Sequence, residues 1–205
     1  MNRKEDLLNL KKECGSCQKC SLGTKLVEGL DPHVFSNGKV PCDIMVVAEA
    51  PGKTECEQKK PLVGKSGQFY NTKILGSVGL TRMDVYTTNS CLCRPDEKNR
   101  KPAPEELDAC FPFLAHQVNI INPKLIITLG VIPLYSVCDL SPSGITKIHG
   151  QLRWSRDFNG KMVPVFPMFH PSYCLRGSGL KEMDEDISKL KYYISMIKLG
   201  QKLDL

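Results

Sequence analysis

At 205 residues, with 41% hydrophobic and 24% charged, the chain has globular proportions and room for one core, which excludes a disordered, collagenous or fibrous protein. Twenty-eight Lys+Arg against 22 Asp+Glu leave a net charge of +6, which permits an anionic partner without specifying one. No apolar run approaches the roughly 18–20 residues of a membrane span, and Met1–Asp6 leads into no apolar signal core, so an intracellular protein with no membrane contact is expected.

Residues 1–13 read as a short amphipathic helix, with Leu7, Leu8 and Leu10 on one side and lysines on the other. Gly23 to Pro41 is rich in Gly, Pro, Asn and Asp and reads as loop or irregular strand. Asp43–Ala48 is a short apolar run ending at Pro51-Gly52, the pattern of a buried parallel strand. Helical spacing over Lys65–Leu80 stops at Gly79, and Val85–Asn89 is β-rich. Pro104-Glu105-Glu106 opens a helix predicted to reach about Asn122, with proline near its first position and acids in its first turn. Lys124–Gly130 predicts a second buried strand, Val131–Cys138 a short helix, Met162–Phe169 a third strand and Lys181–Leu199 a closing helix. Strands alternating with helices predict an α/β protein: three α/β/α layers around a central, mostly parallel, four-stranded sheet. Neither repeat nor linker divides the chain, so residues 1–205 are expected to form a single domain with an N-terminal cysteine-bearing segment.

Ten cysteines are anomalous for a reducing compartment and turn attention to metal or redox chemistry. Cys14, Cys17 and Cys20 make two overlapping CxxC steps, and Cys91, Cys93 and Cys110 offer further thiols. Four such ligands would suit a zinc ion or a four-iron cluster, and spacing alone does not separate the two. Cys42, Cys56 and Cys138 read as buried small hydrophobes.

Ligands of open parallel sheets bind beyond the carboxyl ends of the strands, and Glu49, Asn89 and His170 stand at three such ends. Around them runs an ordered set of motifs. It comprises Val47–Gly52, Pro61-Leu62-Val63-Gly64-Lys65-Ser66-Gly67, Thr88-Asn89 through Cys93-Arg94-Pro95, Asn99-Arg100 and Pro102, Ser143 through Ile145-Thr146-Lys147 and Gly150, and Phe169–Arg176. Over roughly residues 14–197 this resembles the family 4 uracil-DNA glycosylases, the iron–sulfur branch of the uracil-glycosylase superfamily.

The resemblance implies a DNA repair glycosylase that flips uracil out of single- or double-stranded DNA as a monomer and hydrolyses its N-glycosidic bond. It implies a [4Fe-4S] cluster on Cys17, Cys20, Cys93 and Cys110, with Cys14 and Cys91 as extra thiols. His170 would face uracil O2, assisted by backbone around Ala50 and Pro51, and Asn89 would read the base edge. Glu49 is favoured as the residue that activates water or stabilises the sugar cation, with Glu55 lining the pocket near the base. Ser172, Leu175 and Arg176 would meet DNA, Leu175 as a wedge, and Lys65, Arg94 and Arg100 are further candidates for phosphate contact.

The chain departs from the family pattern at Leu62, where a phenylalanine usually stacks on the base, and at Cys174, usually leucine. Three rival readings follow: a glycosylase for a modified pyrimidine, a non-catalytic DNA binder of the same fold, and an interaction protein stapled by zinc.

Overall fold

The structure, a computed structural model, describes residues 2–140 and 144–203. In chain order, α1 (Arg3–Gly15) precedes the strands β1 (Ser36–Asn37) and β2 (Ile44–Ala48) and the short helix α2 (Lys53–Gln58). Then come α3 (Lys65–Phe69), β3 (Tyr86–Asn89), α4 (Pro104–Ile121), β4 (Leu125–Leu129) and α5 (Val131–Cys138). The rest comprises α6 (Ile145–Ile148), β5 (Arg153–Trp154), β6 (Pro164–Met168), α7 (Pro171–Leu175) and α8 (Leu180–Lys198).

Among the described residues the strands form one six-stranded sheet in the order β1-β3-β2-β4-β6-β5. Its middle is the expected parallel set of β3, β2, β4 and β6. The expected count of four is corrected by β1 and β5, which add antiparallel edges. Each edge strand is two residues long, too short for any hydrophobic period to announce it.

All of β2 and β4 is buried, so their side chains alternate between two cores. Ile44, Val46, Leu125, Ile127 and Phe166 pack beneath α8 through Met183, Ile187, Leu190 and Ile194. Met45, Val47, Ile126 and Val165 face α4 through Leu114, Val118 and Ile121. A third cluster at one end gathers Leu10, Leu22, Phe35, Leu92, Leu107 and Phe113 with several cysteines.

The helix read over Lys65–Leu80 is one winding path of changing pitch: α3 continues as a π-helix over Tyr70–Leu75 and a 3₁₀ turn over Gly76–Val78. The change of pitch accompanies inward burial of Tyr70, Ile74, Leu75 and Val78. The expected strand over Met162–Phe169 is confined to Pro164–Met168, and α2 was not anticipated at all. Ser143, part of the motif set, lies outside the described residues. Among those described, no helix is long and apolar enough to cross a membrane.

Register brings the chemistry to one rim. Ala48 pairs with Asn89 and Leu129 with Met168, so Glu49, Gly130 and His170 emerge from the same end of the sheet.

Candidate active site

At that rim opens a cavity of about 720 Å³, lined by Glu49, Ala50, Pro51, Glu55, Leu62 and His170 together with Lys65, Phe169, Ser172, Tyr173 and Arg176. Asn89 is not among its lining residues; it is buried at the end of β3, paired with Ala48, the residue before Glu49. Two residues earlier, Thr87 meets the hydroxyl of Tyr70, so strand alternation turns Asn89 toward the face that carries Tyr70 and Leu62. Its Nδ2 has no hydrogen-bond partner. A buried amide donor left unpaired costs about 1–3 kcal/mol, which a ligand carbonyl would recover.

The two acids differ sharply. Glu55 sits in the first turn of α2, where its carboxylate accepts from the amides of Gly52 (3.2 Å), Val63 (2.8 Å) and Gly64 (2.8 Å). It ties the 61–64 loop to the turn after β2. Among the described residues, no side-chain hydrogen bond or ion pair engages Glu49, and burial raises its pKa with only the charge of Lys101 opposing. One carboxylate is committed to architecture and the other is open to the cavity.

His170 is the N-cap of α7, and its Nδ1 accepts from the Ser172 amide at 3.1 Å with the Ser172 hydroxyl 2.8 Å away. An amide can only donate, so the ring proton belongs on Nε2. Burial, reinforced by Arg176, pulls the His170 pKa down to about 4. The ring is therefore a neutral imidazole with an Nε2–H donor. Gly130, at φ 101°, lets β4 end against this ring: an added Cβ would stand 3.1 Å from His170 Cβ.

Leu62 is buried with φ 54°, an uncommon backbone state for a bulky residue. Two neighbours impose it. Arg82 donates to the carbonyls of Pro61 and Leu62, and Gly67 approaches so closely that an added Cβ would lie 1.8 Å from the Leu62 oxygen. Such over-determination of a strained residue is usual where a loop must present a fixed surface.

A family model of the uracil DNA glycosylase superfamily matches residues 35–191. The type-4 uracil-DNA glycosylase of Sulfurisphaera tokodaii is 35% identical over 91% of this chain and 84% of its own length. That of Thermotoga maritima is 37% identical over 89% of this chain and 90% of its own. The one from Archaeoglobus fulgidus is 34% identical, covering 91% and 92%. The chain belongs to the type-4 uracil-DNA glycosylases.

In this type-4 glycosylase, six cysteines from separate segments meet in the third hydrophobic cluster. Cys14, Cys91, Cys93 and Cys110 are buried there, with Cys17 and Cys20 packed at its edge. Cys110 accepts from the Leu92 amide at 3.3 Å; the neighbouring Cys91 thiol above all, with that amide, lowers its pKa against the effect of burial. Burial and the surrounding thiols push Cys93 the other way. Among the described residues, no three His, Cys, Asp or Glu side chains are grouped to hold a single metal ion.

The remaining candidates divide by exposure. Leu175 is 50% exposed, and Arg176 and Lys65 are exposed beside the cavity. Arg94, a candidate for phosphate contact, is instead buried, giving its guanidinium to Glu28 (2.6 Å), Asn99 (3.0 Å) and the Glu97 carbonyl (3.0 Å). Arg100 lines the cavity but is clasped by both oxygens of Glu106. Sequence reasoning missed Arg82 and the Asp186–His149 pair, whose partners are 20 and 37 residues away in the chain and so carry no local signal.

Proposed function

We propose that this chain excises uracil from DNA by hydrolysing its N-glycosidic bond, leaving an abasic site, with Glu49 and His170 as its catalytic residues. The observation that carries the reading is the pairing of one free, desolvated carboxylate with one neutral imidazole donor at the rim of the same cavity.

Breaking the bond puts positive charge on the sugar and negative charge on the departing base. The Nε2–H of His170 donates to uracil O2 as that oxygen gains charge, with no cation to neutralise beforehand. Glu49, as a carboxylate, stabilises the sugar cation and accepts the proton of the attacking water. Asn89 donates Nδ2–H to uracil O4 and accepts from N3–H; cytosine would present the reverse pattern and leave the buried amide mismatched. Glu55 fixes the loop that carries Leu62 against the base. Gly52 has given its amide to Glu55 and Pro51 has none, which leaves Ala50 to assist at the base. Leu175 fills the gap in the duplex, Ser172 orients His170, and Arg176 and Lys65 meet phosphates.

The cysteine set suits a [4Fe-4S] cluster on Cys17, Cys20, Cys93 and Cys110. The buried thiols, the amide donated to Cys110 and the apolar surroundings are features of such sites, and a cube of four irons takes one thiolate per corner. Bound there, the cluster would tie the segment after α1 to the end of β3 and to α4.

The test is incubation of iron-replete protein with oligonucleotides carrying uracil, thymine, 5-hydroxymethyluracil or cytosine opposite guanine, followed by alkaline cleavage. Cleavage at uracil is expected. Activity confined to a 5-substituted base would transfer the site to a modified pyrimidine, and none on any strand would overturn the catalytic reading.

A further inference from the structure

Beyond Leu175, α7 exposes a second large side chain at the cavity rim. Tyr173 is 37% exposed, yet its ring is not free to wander. Its centroid lies 5.1 Å from that of Phe169, tilted 33°, and Phe169 lies 4.4 Å from His149, tilted 37°. His149 is anchored in turn, its Nδ1 standing 3.0 and 2.9 Å from the two oxygens of the buried Asp186. On another side the ring rests on backbone, since a Cβ added at Gly179 would be 2.6 Å from Tyr173 Cε1.

We propose that Tyr173 is a preformed stacking platform for the nucleobase next to the flipped nucleotide, with Phe169, His149 and Asp186 as positioning residues behind it. The proposal rests on the DNA-repair reading of this cavity and adds a contact to it. Three features carry it. The ring lines the same cavity as His170, so a nucleotide held there brings its neighbour within reach. Its hydroxyl has no hydrogen-bond partner among the described residues, so the phenol is not held outward to cap a polar group. The packing behind it also removes much of the rotamer freedom that an exposed aromatic would otherwise lose on binding. A ring already held in place can put its face to a base with little further ordering. Stacking of this kind tolerates any base, because every base has a π-face.

The division of labour with Leu175 follows from chemistry. An aliphatic wedge replaces the volume of an absent base, whereas an aromatic face offsets the stacking that the adjacent base loses when its neighbour leaves. Such a platform serves single strands too, where no opposing strand keeps the neighbour stacked.

The test uses iron-replete wild type, Tyr173→Phe and Tyr173→Leu. The probes are single and double strands bearing a tetrahydrofuran abasic analogue, with 2-aminopurine placed in turn on its 5′ and 3′ sides. Thermal melting of each protein confirms the fold. Tyr173→Leu should bind on the order of 10-fold more weakly, and its complexes should fluoresce more brightly on one of the two sides. Tyr173→Phe should match wild type in both readouts, because the ring and not the hydroxyl is required. Equal affinity and equal fluorescence for Tyr173→Leu and wild type would overturn the platform while leaving the glycosylase reading intact. Failure of wild type to bind either strand would instead remove the DNA reading on which the proposal rests.

Discussion

Two residues at the rim have protonation behaviour opposite to habit, and activity should follow it. Burial raises the Glu49 pKa above its ordinary 4.5, while the His170 pKa is lowered to about 4. The proposed reaction uses Glu49 as a carboxylate and His170 as a neutral donor. As pH falls, Glu49 therefore takes up its proton first, and His170 follows only near 4. The single-turnover rate should be flat around neutrality and fall on one acid limb whose midpoint lies above that of an ordinary glutamate. Glu49→Gln should lower that rate on the order of 10²–10³-fold and abolish the limb, leaving a residual rate that is level until His170 protonates. A wild-type limb surviving in the Gln variant would assign it to another group. Glu55→Ala should behave differently: with the Val63 and Gly64 amides unpaired, stability should drop by about 1–3 kcal/mol and substrate capture should weaken, without moving the limb.

At the scale of elements, the cavity wall depends on a short helix and the loop it restrains. Glu55 in α2 holds the amides of Val63 and Gly64, Arg82 holds the carbonyls of Pro61 and Leu62, and Gly67 at the start of α3 closes against Leu62. Gly67→Ala would place a methyl carbon 1.8 Å from the Leu62 oxygen, so the loop must move. A loss of about 1–3 kcal/mol is expected in thermal or denaturant melting, with weaker binding of uracil-containing DNA. Gly15→Ala, with nothing within 4 Å of an added Cβ, is the matched control. The same elements show what the sequence discloses. The buried parallel strands were legible because continuous apolar runs such as Ile44–Ala48 have one stable home. The helix α4 was legible from Pro104 and its two following acids. The edge strands were not, because two residues cannot repeat a pattern even once. The strand-end rule brought Glu49, Asn89 and His170 to notice, but composition could not distinguish Glu49 from Glu55. That distinction lies in three backbone amides donated from the 52 and 63–64 turns. Arg94 misled for a related reason: a charge in a motif reads as a DNA contact until Glu28, 66 residues away, is seen to hold it.

Over the whole molecule, the parallel sheet and the cysteine-bearing end are stabilised by different means. The sheet has apolar cores on both faces, whereas the stretch from Ser16 to Asp31 has one short 3₁₀ turn and the isolated bridge Val27–Leu30. Near the end of that stretch, Lys59 at the C-cap of α2 holds Asp31 (2.8 Å) and the His33 carbonyl (3.2 Å), while the His33 ring reaches the Cys17 carbonyl (3.2 Å). A cluster on Cys17, Cys20, Cys93 and Cys110 would therefore restrain a stretch with little regular structure of its own, and through Lys59 it would steady the helix that carries Glu55. Iron analysis should give about four atoms per chain, lost on Cys93→Ala or Cys110→Ala and retained on Cys42→Ala. Cys14→Ala and Cys91→Ala should retain it too, because the proposed ligand set does not use these thiols. In iron-free protein, limited proteolysis should cut first between residues 16 and 31, with the sheet still folded by circular dichroism, because local stability follows local packing. Uracil-DNA affinity should fall in the same preparation even though no cysteine lines the cavity. One zinc per chain in anaerobically prepared protein, or first cuts within the sheet, would show that the thiols do not restrain this end of the molecule in the way proposed.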